Sequence, residues 1–380
     1  MTSGTTHKVC TYCVMDTTDP KITFNESGVC DPCIDFFKST STRWHPNPYG
    51  EHLLKSLSKK IRSDYSPSGY NCILGLSGGL DSSYLLHKAV TELGLRPLVF
   101  HVDAGWNTDI AVSNIRSITD KLGLDLYTEI INWDSVRDLQ LALFKSGTPH
   151  LDLAQDHAFF ATMYHYAKKY KIRWILNGGN ISTEGIRNPK DWLYYGTDMS
   201  FLNDIRRQFC TTDLPGYPWS SIYYHKIYLR YFKNIKVVKP LNYLNYTKSA
   251  AVTDLANTYG WKPYPQKHFE SIFTRFYEGY WLPSRFGYDT RKVQLSSLIV
   301  TGQISRQQAL SILEKPPYSE IQLKLDKQYI ADKLDISVDE LMHYHQLPLK
   351  SFRDYHNESF IFDLGARFLK LIGVEQAIKR

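Results

Sequence analysis

No uninterrupted apolar run in the 380-residue chain is long enough to span a bilayer, so no membrane insertion is expected. The first ten residues hold neither a basic n-region nor an apolar h-region; no cleaved leader is expected, and the cytosol is the expected compartment. Cysteine is scarce and unevenly placed. Four of the six form two Cys-x-x-Cys pairs inside the first 33 residues, which argues against a disulfide framework and for a metal. No internal repeat or low-complexity tract is visible, and the basic excess is spread widely. With 45 Lys and Arg against 38 Asp and Glu, the net charge of +7 fits anionic partners without choosing among them.

What is there suffices for a full-sized core: 43% of positions are hydrophobic and 14% aromatic. The length suggests about two domains and a small appendage. Residues 1–45 carry the paired cysteines with few consecutive apolar neighbours, so a metal must hold them. Residues 46–69 read as a linker and helix. Residues 70–259 alternate short apolar runs at 72–76, 98–102, 126–131, 174–176 and 235–238 with helical patterns at 82–93, 110–122 and 154–171. This alternation predicts an α/β fold, a doubly wound parallel sheet with ligands at the carboxyl ends of its strands. Residues 191–235 are rich in aromatics and read as an excursion holding substrate contacts. Residues 260–380 are predicted to be mostly helical, with candidates at 306–313, 326–334, 338–345 and 360–371.

The most informative segment runs from Ile73 to Ser83, a buried strand entering a glycine-rich turn that opens a helix. Gly78 and Gly79 let consecutive backbone N–H groups face one concavity. Ser77, Ser82 and Ser83 add hydroxyls at a helix N-terminus whose dipole favours an anion. Asp81 would be repelled by a bare phosphate, so its presence implies Mg²⁺. No Lys follows the glycines, which excludes the Walker pattern, and the spacing is not that of the dinucleotide fingerprint. A Gly-Gly turn with a capping Ser or Asp is the plainer alternative.

Cys10, Cys13, Cys30 and Cys33 have the spacing of a four-thiolate tetrahedral zinc site with no open position, hence a structural one. Cys72 lies inside a strand and reads as inert. Cys210 follows Arg206 and Arg207, which could lower its pKa, although an ordinary structural role is the expectation.

Ser-Gly-Gly-x-Asp-Ser at 77–82 resembles the PP-loop of the ATP pyrophosphatase superfamily, whose members split ATP to AMP and pyrophosphate. The resemblance implies adenosine contacts at His101 and Asp103, a second glycine-rich turn at Gly178, Gly179 and Asn180, and Glu184 as a Mg²⁺ ligand beside Asp81. It also implies that Lys248, downstream of Lys239-Pro240-Leu241, neutralises phosphate charge. Taken alone, Asp103 could equally form a turn and Lys248 a solvated helix residue. The cysteine module, the loop, residues 102–107 and the distal segments 271–277 and 287–292 together resemble the N-acetyl sugar amidotransferases (WbpG/PseA-like). That family turns an acetamido group into an acetamidino group with ATP and ammonia, in the biosynthesis of bacterial surface sugars such as O-antigen. On this resemblance Asp81 and Lys248 are catalytic, and ATP, Mg²⁺ and Zn²⁺ are the cofactors.

Arg275, Arg285 and Arg291 are expected to bind sugar-nucleotide phosphates, and Trp192 and Tyr195 to stack on the sugar or base, with core packing as the alternative for the aromatics. No Gly-x-Cys-x-Gly glutaminase elbow is present, so the resemblance implies a separate glutaminase partner supplying ammonia, often with a cyclase-like companion. A tRNA-thiolating PP-loop enzyme is the nearest rival. Against it, only Cys72 and Cys210 remain after zinc, too few for three cluster ligands and badly placed for a persulfide relay. A non-catalytic zinc-containing RNA-binding protein is the more distant rival, disfavoured by intact Asp81, Asp103 and Lys248; no nucleic-acid partner is expected.

Overall fold

The short apolar runs form a five-stranded, wholly parallel sheet in the computed structural model, which describes residues 7–371. The strands are β1 (Cys72–Gly75), β2 (Pro97–Asp103), β3 (Leu126–Ile130), β4 (Trp174–Leu176) and β5 (Lys236–Val238), in the spatial order β3-β2-β1-β4-β5. β1 is central, with Ile73 opposite Leu98 on one side and Ile175 on the other. The chain builds outward from β1 to β3 and then crosses back to add β4 on the other flank. The loops leaving β1 and β4 therefore lie at the switch point of the sheet, the place where ligands bind in folds of this kind.

Side-chain alternation assigns the two faces of the sheet. Leu74, Leu76, Val99, Trp174 and Leu176 face one core. It is covered by α2 (Pro48–Arg62), α3 (Leu80–Thr91), α4 (Asp109–Leu122) and, later in the chain, a helix at Lys248–Tyr259. Ile73, Leu98, Phe100 and Ile175 face the other, against a helix at Leu153–Lys169 and a π-helix at Tyr224–Phe232.

In chain order the α-helices are α1 (Asp31–Asp35), the three just named, α5 (Trp133–Lys145), α6 (Leu153–Lys169), α7 (Ile181–Glu184), α8 (Met199–Phe209) and α9 (Lys248–Tyr259). The distal region adds α10 (Ile272–Phe276), α11 (Leu282–Phe286), α12 (Thr290–Val300), α13 (Arg306–Leu313), α14 (Glu320–Leu334), α15 (Val338–Gln346) and α16 (Ser359–Leu371). The end of the expected helical region, residues 372–380, and part of the expected leader-free start, residues 1–6, lie outside the described residues. No described helix is long and apolar enough to cross a membrane.

Residues 191–235 correct the sequence reading. This stretch contains α8 and the π-helix, and its aromatics are largely core: Phe201 and Tyr194 join Phe144, Trp281 and Tyr344 in the largest apolar cluster, which unites α5, α6 and α8 with α10, α11, α14 and α15. The distal region is thus continuous in packing with the sheet domain.

The cysteine module is likewise docked. Val14 and Met15 pack with Val293, Ile299 and Ala309 of α12 and α13. Arg306 donates to the carbonyls of Cys10 and Cys13 at 3.0 Å each, and Lys292 pairs with Asp16 at 2.5 Å.

Candidate active site

β1 ends in the glycine-rich turn, and Gly79 is the N-cap of α3. Gly78 takes φ 81°, a left-handed conformation, with Ala111 O only 2.8 Å from where a Cβ would stand; a side chain there would meet both strain and collision. Ser77 Oγ lies 3.1 Å from Ser82 Oγ and accepts from Gly79 N at 3.2 Å, so the loop is held by its own hydroxyls. Ser83 is fully buried, and its hydroxyl has no protein partner.

The turn after β4 closes the other side. A Cβ on Gly178 would lie 3.2 Å from Asp81 C and Ser82 N, so the two glycine-rich turns touch, backbone against backbone. Asn180 caps α7 by accepting from Thr183 N at 2.9 Å. Its amide donates to Asp81 Oδ1 at 3.1 Å and to Gly178 O at 3.1 Å. Tyr246 also donates to Asp81 Oδ1, and burial followed by the Asp81 charge pushes its phenol pKa far up, keeping it a donor.

Lys267 joins the two expected Mg²⁺ ligands. Its ammonium lies 3.0 Å from Asp81 Oδ2 and 2.7 Å from Glu184 Oε1, with Thr183 Oγ1 at 3.3 Å. Burial works against this charge, but Asp81 and then Glu184 outweigh it and hold the pKa well above the ordinary lysine value. Two carboxylates close enough to share one ammonium can share one divalent ion, and hard oxygen donors suit Mg²⁺; the residues therefore fit that group. Lys239 Nζ and Glu184 Oε2 each lie 3.1 Å from the position of a Cβ on Gly179, placing a second lysine at this spot. Lys248 is the first residue of α9, and loss of solvation around its ammonium, followed by Lys267, lowers its pKa while Asp81 opposes them.

Three residues after Lys267, Glu270 enters the phosphate loop, its Oε1 3.4 Å from Ser77 Oγ. Burial and then the Asp81 charge raise its pKa, partly offset by His268 and Lys267. The backbone fixes this segment against the end of β2: Thr108 N donates to Glu270 O at 2.9 Å and Ile272 N to Trp106 O at 2.8 Å. His268 takes φ 67°, uncommon for a residue with a Cβ, and its Nδ1 is 2.9 Å from Glu278. Burial lowers the His268 pKa, but Glu278 outweighs it and pushes the value up to about 9.

Sequence reasoning missed Lys267 and Glu270. The only available signal was a Lys-His-x-Glu charge cluster just ahead of the distal segment.

Other expected site residues have different partners. His101 uses both ring nitrogens, Nδ1 to Leu76 O at 2.7 Å and Nε2 to Asn107 Nδ2 at 3.0 Å, so it ties the end of β1 to the end of β2. Asp103 accepts from Gly105 N at 2.7 Å and forms the turn.

The three arginines are corrected as well, because each guanidinium is committed within the distal region. Arg275 is bidentate to Asp326 at 2.7 and 2.8 Å. Arg285 caps the end of α15 through the carbonyls of His345 and Leu347. Arg291 binds Asp289 and the Lys315 carbonyl, each at 2.7 Å. Trp192 is buried and stacked on Tyr288 at 5.2 Å, and Tyr195 stacks on Phe362 at 4.3 Å. These positions pack the fold.

The four module cysteines are fully buried, and their sulfurs all lie within 4.8 Å of one another. Cys10 Sγ accepts from Cys13 N at 3.4 Å and Cys30 N at 3.2 Å, as a metal-bound thiolate does. Tetrahedral Zn–S bonds of about 2.3 Å call for sulfurs roughly 3.8 Å apart, so this donor set fits a zinc-type ion. Burial raises the Cys72 pKa, and burial followed by Asp138 pushes Cys210 up to about 12, so the arginines beside Cys210 do not activate it.

Residues 270–369 match the family model described as LPS biosynthesis protein WbpG-like, C-terminal domain. The distal region is therefore similar to a WbpG-like C-terminal domain. The match begins at Glu270, the residue lying against the phosphate loop. Comparison with curated proteins gives no match.

Among solved structures, the chain is similar to an NMN synthetase from Francisella tularensis (15% identity, 81% of this chain and 98% of that chain, TM-score 0.33). It is similar also to an NH3-dependent NAD synthetase from Campylobacter jejuni (15% identity, 71% and 97%, TM-score 0.30). A third is the tRNA thiolase NcsA from Methanococcus maripaludis (13% identity, 79% and 82%, TM-score 0.31). Likenesses of this size carry no argument about chemistry. The WbpG-like match set against a glycine-rich phosphate loop supports an ATP-using enzyme.

Proposed function

We propose that the chain is an ATP-dependent amidotransferase that converts the acetamido group of an N-acetyl sugar, carried as a sugar nucleotide, into an acetamidino group. The observation that carries this reading is the entry of the WbpG-like domain into the phosphate loop through Glu270, with Lys267 just before it on Asp81 and Glu184.

An amide carbonyl resists ammonia because its carbon is weakly electrophilic and its oxygen leaves badly. In the proposed reaction the acetamido oxygen attacks the α-phosphorus of ATP and pyrophosphate departs. Ammonia then adds to the imidate carbon, AMP leaves with the former amide oxygen, and loss of a proton completes the amidine. The Ser77–Gly78–Gly79 turn and the α3 N-terminus receive the pyrophosphate, with Ser82 donating from the first helical turn. Asp81 and Glu184 would hold Mg²⁺, which supplies charge neutralisation at the phosphates. Lys239, Lys248 and Lys267 stand where negative charge grows as pyrophosphate departs, so they stabilise the transition state more than the bound substrate. Zinc on the four cysteines is structural in this account, and ammonia comes from a separate glutaminase.

The inert Cys72 and Cys210 disfavour thiolation. Incubation with Mg²⁺, ATP, ammonium and a panel of UDP- and CMP-linked N-acetyl sugars tests the proposal. It expects AMP and pyrophosphate coupled to replacement of one O by NH on one sugar. AMP release only with tRNA and a sulfur donor would refute it.

A further inference from the structure

The two longest stretches of the chain without Asp or Glu are residues 214–253 and 157–183. The first carries Arg230, Lys233 and Lys236 and the second Lys168, Lys169 and Lys171, among other cations. The fold lays them side by side. Leu229 of the π-helix and Ala167 of α6 share the core under the sheet. Lys168 Nζ sits 5.6 Å from the Tyr224 ring and 5.7 Å from that of Tyr228, and Tyr164 stacks on His225 at 4.3 Å.

The outer side of the same helix is apolar and uncovered. Tyr223, Ile227 and Tyr231 recur every four residues and are 45%, 50% and 70% exposed; Phe232 beside them is 74% exposed. One exposed apolar residue is ordinary, but a row of four on one helix is not. Lys168, Arg230 and Lys233 are exposed around this row, with Arg230 5.7 Å from the Tyr231 ring and Lys233 5.7 Å from that of Tyr228. Nearby carboxylates are engaged: Glu129 accepts from Tyr166 at 2.5 Å, and Asp64 pairs with Arg173 at 2.5 Å.

We propose that this face rests on an anionic lipid bilayer, the apolar row in the headgroup layer and the three cations on lipid phosphates, without crossing the membrane. The row stands on the convex outside of a single helix, which suits a soft planar surface better than a protein knob. Tyrosine and phenylalanine flanked by long cations that extend along aromatic rings are the chemistry of a membrane interface. The inference is independent of the reaction proposed above.

The test is flotation of the full chain with phosphatidylglycerol–phosphatidylethanolamine vesicles and, separately, with phosphatidylcholine vesicles. Binding to the anionic vesicles alone, weakening as salt rises, is expected. Each cation near such a surface is worth about fivefold in affinity, so Lys168→Glu with Lys233→Glu should weaken binding at least about 25-fold. Tyr231→Ser with Phe232→Ser should weaken it with unchanged circular dichroism. Failure to float, equal binding to both vesicle types, or indifference to both variant pairs would overturn the proposal. So would a dimer that Tyr231→Ser with Phe232→Ser turns into a monomer, because the face would then be a contact between copies.

Discussion

Two sets of cations differ in what holds them. Lys239, Lys248 and Lys267 gather at the turns that follow β1 and β4, where Lys267 bridges two carboxylates that also suit a divalent ion. Arg275, Arg285 and Arg291 are locked inside the distal helices by carboxylates and helix-end carbonyls. A lysine ammonium is a single-point charge on a flexible stem that can trade partners as substrate arrives. A guanidinium in a bidentate pair is fixed in geometry and leaves its partner unsatisfied when removed. The first set can therefore serve chemistry, and the second maintains the surface that delivers Lys267 and Glu270.

The sharpest way to break this contrast is Asp81→Asn, which removes the charge that Lys267 pairs with and that would help hold Mg²⁺. AMP formation should fall by about a thousandfold or more with the fold intact, seen in a nucleotide-product assay beside circular dichroism. Retained turnover would detach the lysine cluster from the reaction. Next is Arg275→Ala, which strands Asp326, a carboxylate only 4% exposed that also accepts from Tyr318. A loss of about 3–5 kcal/mol in denaturant unfolding is expected, with the KM for ATP unchanged if the variant stays folded at assay temperature. An altered KM without destabilisation would return Arg275 to substrate binding.

Lys267→Met should do the reverse, lowering AMP formation about a hundredfold with little change in stability, because burying a methionine there offsets the lost ion pairs. It should also tighten Mn²⁺ binding in the absence of nucleotide, read by the paramagnetic signal of the free ion, since the ammonium no longer competes for Asp81 and Glu184.

The smallest effect concerns His268. Its folded pKa of about 9 lies above the usual value of about 6.5, so the stability from its pairing with Glu278 is complete below about pH 6.5 and is lost as pH rises to about 9. The side chain is 41% exposed, so solvent screens the pair and the slope of unfolding stability against pH should be shallow. Absence of any slope difference between wild type and His268→Gln would show that Glu278 does not anchor this segment.

How much of this was legible follows from where the chemistry lies along the chain. A glycine-rich turn opening a helix is contiguous in sequence, so residues 77–83 made it legible, and two Cys-x-x-Cys pairs made the meeting of four sulfurs legible. Alternating apolar runs predicted the parallel sheet because β1 is buried on both faces. Lys267 and Glu270 were not legible: Lys267 reaches Glu184 across 83 positions and Glu270 reaches Ser77 across 193, and no local pattern encodes such a meeting. The arginines misled because spacing shows a guanidinium but not its partner, and Asp326 and the end of α15 lie too far along the chain to be paired by eye. The aromatics of 191–235 looked like a binding surface because composition does not distinguish a stacked core from a stacked ligand.

The most direct test of the central claim follows the acetamido oxygen. An N-acetyl sugar nucleotide carrying heavy oxygen in that group would be turned over with ATP, Mg²⁺ and ammonium, and the AMP analysed by mass. The account predicts one heavy oxygen in each AMP formed, carried there when the carbonyl oxygen attacks the α-phosphorus. AMP without the label, or label released into water, would contradict it.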